Sequence, residues 1–268
     1  MQISLQPTFY PQEAEKKGAT PSQYGFVFGI ASLASLISTP IMGMYAAKIG
    51  VKRVFNSGAF IQGLCGISFG FLIYLDSLSA FLGLSYFLRF LDGVADAAAY
   101  CCGMSVLIKL FPDKVSSIVA WFETLFGFGY MMGPFVGSVL YHFGGFVLPF
   151  FVVGIWCLIG GFGIFFTFPD IEENTNCLKK RMSISDLVKY PSIILPGLDL
   201  FFCACGNGFI ESMLASQMVK LDSTQAQIGM TFFLFGLIYL ISTPVAGFVS
   251  FFKDYFSLFI PNSVLSDL

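Results

Sequence analysis

Apolar residues fall in long runs separated by short polar links. The runs occupy about 24–47, 54–75, 80–108, 117–141, 146–168, 191–216 and 228–252. Each holds the roughly 20 residues that an α-helix needs to cross the ~30 Å apolar core of a bilayer. The pattern predicts a helix across the membrane for every run. The third run is long, and Pro112 ends it, since proline cannot donate the next helical hydrogen bond. Most links are short, as antiparallel neighbours require. The exception runs from Pro169 to Pro191. It carries Asp170, Glu172, Glu173, Lys179, Lys180, Arg181, Asp186 and Lys189. That stretch divides the chain into a first half (1–168), a link (169–190), the start of a second half (191–252) and a tail (253–268).

The spans repeat. Leu36-Ile37-Ser38-Thr39-Pro40-Ile41-Met42-Gly43 returns as Leu240-Ile241-Ser242-Thr243-Pro244-Val245-Ala246-Gly247. On the same offset, without a gap, Gln23 answers to Gln227, Gly25 to Gly229, Phe28 to Phe232 and Leu33 to Leu237. So long a period excludes a solenoid and points to a duplicated multi-helix half, as in many transporters. The copies lie in the first and seventh runs, so the repeating unit is six helices. In the second copy a span precedes the repeat; in the first, only Met1 to Pro21 does, too short and too charged to cross. The expectation is an all-α membrane protein of two six-helix halves, of which this chain holds about seven spans of twelve, with residues 1–21 as a non-spanning tail.

Composition agrees. Hydrophobic residues make up 56% and charged residues 11% of the 268, against a usual charged share of ~25%. Mean hydropathy is +0.79. Too few charges remain to cover a soluble surface, and no basic stripe suits nucleic acid. Lys48, Lys52, Arg53, Lys109, Lys114, Lys179, Lys180, Arg181, Lys189 and Lys253 fall on one side of the predicted membrane. Lys16, Lys17 and Lys220 fall on the other. The excess marks the first side as cytoplasmic. Residues 1–22 carry charges and no apolar centre, so no cleavable signal is visible. Six of the seven cysteines lie in apolar runs and read as small buried hydrophobes.

Arg89, Asp92, Asp96, Glu123, Asp199 and Glu211 lie inside the spans. Each charge costs roughly 2.5–3.5 kcal/mol near the bilayer centre, so such groups face a cavity or one another. Arg89, Asp92 and Asp96 stand at i, i+3 and i+7, on one helical face that Tyr100 continues. Two readings fit: an ion pair holding helices together, or a cavity-lining stripe whose acids bind a cation or relay protons. The fourth span reads Gly129-x-x-x-Gly133-Pro134-x-x-Gly137. It suits close helix packing, with or without a half that rocks against it. Between the first two spans, Gly43, Lys48, Gly50, Lys52 and Arg53 make a basic link. Its glycines allow a tight turn, and its cations anchor it in the cytoplasm or cap a neighbouring helix. His142 stands alone, without partners at metal-ligand spacing, and no metal site is expected. A phosphate-binding loop and a nucleophile–base constellation are absent from the sequence, so neither ATP drive nor an enzyme is expected.

Together these stretches resemble the major facilitator superfamily. Gly43 to Arg53 is similar to its loop after helix 2, with Ala47 in place of the usual Asp. Leu88-Arg89-x-x-Asp92-Gly93 resembles its helix-4 signature, and Gly129 to Gly137 the helix-5 signature of its antiporters. The similarity is nearest to the vesicular amine transporters, especially a polyamine-type branch. Pro11-x-Glu13-Ala14-Glu15-Lys16-Lys17-Gly18 resembles that branch's sequence after helix 1. Gly133 to Tyr141 with Pro149-Phe150, and Phe209-Ile210-Glu211, resemble the whole family, although Ser212 stands where proline usually follows. The resemblance covers helices 2 to 8. It implies antiport of protons for small organic cations, with the proton gradient rather than a cofactor as drive. Glu211 would bind the amine, Arg89 and Asp92 would serve coupling, and the membrane would be that of a vesicle. Two alternatives remain: export of drugs or other small solutes, and a non-transporting form that acts through interaction.

Overall fold

The computed structural model describes residues 2–167 and 227–242, with scattered positions between 194 and 224. The described residues are helical: α1 (Gln2–Lys16), α2 (Pro21–Ile49), α3 (Val51–Gly70), α4 (Leu78–Leu110), α5 (Val115–Gly144), α6 (Val147–Thr167) and α7 (Gln227–Ser242). Five elements are long and apolar enough to cross a membrane: Pro21–Ala46, Val51–Tyr74, Leu78–Leu110, Pro112–Gly144 and Val147–Thr167. They match the first five apolar runs within a few residues. The link 169–190 and the tail 253–268 lie outside the described residues, the run at 191–216 is described only at scattered positions, and the seventh run is described only as α7.

Residues 2–16 correct the expectation of a tail. They form α1, and it is buried: Leu5, Phe9 and Tyr10 are at most 1% exposed, and Gln6 and Thr8 are as deep. At 1.5 Å per residue α1 is about 22 Å long, shorter than the bilayer core. Pro7 and Pro11 sit inside it. The core of the bundle forms around α1, with Tyr10 stacked on Phe81 at 5.4 Å and tilted against Phe69 at 5.1 Å. Phe9 stacks on Tyr141 of α5 at 5.1 Å. Near its end, Glu13 accepts hydrogen bonds from Lys16 Nζ (2.7 Å) and Tyr141 Oη (3.1 Å). The Glu13 carboxylate holds the Lys16 ammonium above the ordinary lysine pKa. Lys17 Nζ donates to the carbonyls of Ile73 and Leu75 at 3.0 and 2.7 Å. The end of α1 and the α3–α4 link therefore share one face of the bundle.

Helix α2 packs on α4, α3 on α4, and α3 on α6. Small residues set these approaches. A Cβ on Gly93 of α4 would stand 2.2 Å from the Ala31 carbonyl of α2, and one on Gly154 of α6 2.9 Å from the Gly63 carbonyl of α3. The turn from α2 to α3 uses a single glycine. Gly50 has φ +103° and its N–H donates to Ala46 O at 2.9 Å. Gly43, expected to share that turn, lies inside α2, where an added Cβ would meet nothing within 4 Å. Lys48 folds back over the Tyr45 ring at 5.4 Å.

The sequence repeat has a structural counterpart. Gln23 Oε1 accepts from the Thr20 N–H at 2.8 Å at the start of α2. On the 204-residue offset, Gln227 Oε1 accepts from the Thr224 N–H at 2.8 Å at the start of α7. Both are the reciprocal half of a capping box. Behind them Phe28 and Phe232 are both buried.

Candidate functional site

Four helices, α1 to α4, build the site. Arg89 and Asp92, one turn apart on α4, form an ion pair of 2.8 Å with side chains 6% and 3% exposed. The pair lies within one helix, so it does not clamp two helices together. Its surroundings are supplied by α1: Gln2 Nε2 donates to Asp92 Oδ1 at 3.2 Å and also to the Gln62 carbonyl of α3 at 2.9 Å. The Gln6 side chain hydrogen-bonds Asp92 as well. Arg89 also stands over the Phe28 ring of α2, 5.8 Å from its centre. Asp96, a turn further along α4, is hydrogen-bonded by the Gln62 side chain.

A cavity of about 550 Å³ opens against this group. Arg89, Asp92 and Asp96 form one wall, and Ser35, Thr39 and Pro40 of α2 form another, with Ile3 of α1 at the edge. Thr39 and Pro40 belong to the repeated stretch. Two buried polar atoms bordering this region have no partner: Gln6 Oε1, an acceptor, and Arg89 Nε, a donor. An orphaned acceptor and donor beside paired charges are what a polar ligand or ordered water satisfies. A second void of about 860 Å³ lies between α5 and α7, bounded by Ser138, Tyr141, His142, Gln227 and Met230. Carboxylates do not appear among its described lining, whereas the smaller cavity has Asp92 and Asp96 on its wall.

Glu123 is placed elsewhere, at the seam of α4, α5 and α7. Tyr100 Oη donates to Oε1 of Glu123, and Tyr239 Oη to Oε2 at 3.1 Å. Asp199 and Glu211 lie outside the described residues. The α5 glycines act separately. Gly137 makes room for α1, since a Cβ there would stand 2.2 Å from Leu5 Cδ2. Gly133 and Pro134 are buried, and Gly129 is half-buried. Contact with α7 instead runs through Gly127, Met131, Pro134 and Ser138. A Cβ on Gly229 would meet Ser138 Oγ at 2.0 Å, and one on Gly236 the Met131 Cα at 2.7 Å. Phe135 and Phe233 pack across the same seam at 5.3 Å. Of the motif residues, Gly137 meets α1 and Pro134 meets α7, while Gly127, outside the motif, is the α5 glycine against Tyr239.

Sequence reasoning missed Gln2, Gln6, Gln62 and Tyr239. Gln2, Gln6 and Tyr10 stand four apart, a polar stripe at helical period that would have marked α1. Gln62, an amide within an apolar run, carries the same kind of signal.

The description of the Major Facilitator Superfamily matches residues 1–260. The chain belongs to the major facilitator superfamily. Within this superfamily it is 31% identical over 251 residues to the human MFS-type transporter SLC18B1, covering 93% of this chain and 54% of that protein. To the human synaptic vesicular amine transporter it is 27% identical over 232 residues, covering 85% and 43%. To the uncharacterized MFS-type transporter YhjX of Escherichia coli K12 it is 25% identical over 225 residues, covering 81% and 54%. The chain spans about half the length of the curated relatives it matches. It is a multi-pass membrane protein related to the vesicular amine transporters.

Proposed function

We propose that the protein of which this chain forms part exchanges protons for small organic cations by alternating access. The Arg89–Asp92–Asp96 wall of the 550 Å³ cavity carries this reading. A carboxylate in a water-poor site exchanges a proton for a cation more readily than one in bulk water, because burial disfavours its bare charge. Asp96 has no ion-pair partner among the described residues, so it is the group that can take up and release a proton. Arg89 fixes Asp92 and keeps it from doing so. Access alternates as α5 and α7, each from one half, move at the seam. Glu211 supplies a further amine contact in this scheme, and a vesicle membrane supplies the proton gradient.

The test is uptake of labelled amines into proteoliposomes with an acid interior, using this chain and the longest product that contains it. Uptake that collapses on dissipating the gradient supports the reading. Asp96→Asn should abolish gradient-driven uptake while exchange of internal for external amine persists. Uptake indifferent to the gradient, or equally competed by neutral and anionic solutes, points instead to a general exporter.

A further inference from the structure

Glu123 is built differently from Asp92. Two hydroxyls from two other helices each take one of its oxygens, Tyr100 from α4 and Tyr239 from α7. One donor per oxygen is the arrangement a carboxylate anion accepts. Asp92 has its arginine at 2.8 Å, whereas Glu123 forms no ion pair with a described Lys or Arg. Its neighbours are aromatic: Tyr100 packs edge-on against Phe122 at 5.3 Å and Phe126 at 6.0 Å. The Tyr239 ring is held by Gly127, where a Cβ would come within 2.6 Å of it. A carboxylate without an ion-pair partner among the described residues, set among aromatic side chains, suits an alkylammonium, the acid taking the charge and the rings the carbon groups.

We propose that Glu123, with Tyr100 and Tyr239, is a cation-binding site in its own right and takes an alkylammonium group. The Arg89–Asp92–Asp96 cavity then handles the proton and not the cargo's charge. This rests on the reading that the cargo is an organic cation. The site draws one group from each of α4, α5 and α7. A bound cation therefore bridges the first half and the second at their seam, which ties binding to the motion of α5 against α7. Tyr100 continues the Arg89–Asp92–Asp96 face of α4, so the two sites adjoin along one helix.

The probe is benzyltrimethylammonium, which has no proton to lose, measured by equilibrium binding to the full 268-residue chain in nanodiscs. Saturable binding is expected. Glu123→Gln should weaken it tenfold or more, Tyr239→Leu three- to tenfold, and Asp113→Asn, at the exposed α4–α5 turn, less than twofold. Glu123→Gln is near-isosteric, and an unchanged elution profile and melting curve exclude misfolding as the cause. Binding that Glu123→Gln leaves within twofold overturns the Glu123 assignment and leaves the organic-cation reading standing. Binding lost on Asp96→Asn instead moves the cargo to the cavity and overturns the division of labour. No saturable binding by the unaltered chain overturns both.

Discussion

At the scale of single residues, the Arg89–Asp92 pair is the feature most sensitive to change. Both groups are almost fully buried, and each neutralises the other at 2.8 Å. Breaking a buried pair by removing one member strands the other charge, at a cost of about 3–5 kcal/mol. Removing both charges costs far less, because nothing is left unpaired. Asp92→Asn and Arg89→Gln should each lower the unfolding midpoint in mild detergent, and the double variant should recover at least half of the loss. Additive losses would mean that Gln2, Gln6 and Phe28 stabilise each charge independently. The stripe itself was legible, because a charge in an apolar run is costly enough to mark its own position. Its partners were not. Gln2 lies 90 residues from Asp92, and Tyr239 lies 116 residues from Glu123. A tyrosine or glutamine costs less to bury than a charge, so its signal is weaker, and neither its position nor its spacing names a partner so far along the chain.

At the scale of elements, glycine decides how closely helices meet. Gly93 sits where the α2 backbone would occupy its Cβ, whereas Gly43 faces open space. The same substitution should therefore have opposite signs. Gly93→Ala forces α2 and α4 apart and should cost about 1–3 kcal/mol, as overpacking does. Gly43→Ala only gains helix propensity and should be neutral or stabilising by up to ~1 kcal/mol. Melting curves of the two variants, measured in parallel, decide this; equal shifts would refute the close approach of α2 and α4. The apolar runs gave the spanning helices because burial in lipid needs only a sustained apolar stretch. Helix α1 escaped because its burial is inside protein. Gln2, Gln6 and Tyr10 are matched by Asp92, Gln62 and Ser85, so it needs no apolar run. Its prolines and charges read as a tail only when those partners are unseen. The basic link shows the reverse error: two glycines suggested a shared turn, and Gly50 alone makes it.

At the scale of the molecule, the ends of the helices sort by charge. Lys48, Lys52, Arg53, Lys109 and Lys114 lie at the α2–α3 and α4–α5 turns. Lys16, Lys17 and Asp76 lie at the α1–α2 and α3–α4 turns, joined where Lys17 reaches the Ile73 and Leu75 carbonyls. A positive excess at one end fixes which end stays in the cytoplasm. Asp113 and Asp76 are exposed and belong to opposite ends. In sealed vesicles with the cytoplasmic face outward, Asp113→Cys should react at once with a membrane-impermeant maleimide. Asp76→Cys should react only after detergent is added. Both variants are made on a Cys177→Ser background, because Cys177 lies in the charged link and would label on the cytoplasmic side. The other native cysteines lie in apolar runs, and the variant without an added cysteine gives the background labelling to subtract. The reversed pattern would invert the molecule. It would place the α1 end, with Glu13, Lys16 and Tyr141, on the cytoplasmic side rather than the opposite one. Labelling of both positions without detergent would mean that the α3–α4 turn does not cross, and the antiparallel order of α3 and α4 would fail with it.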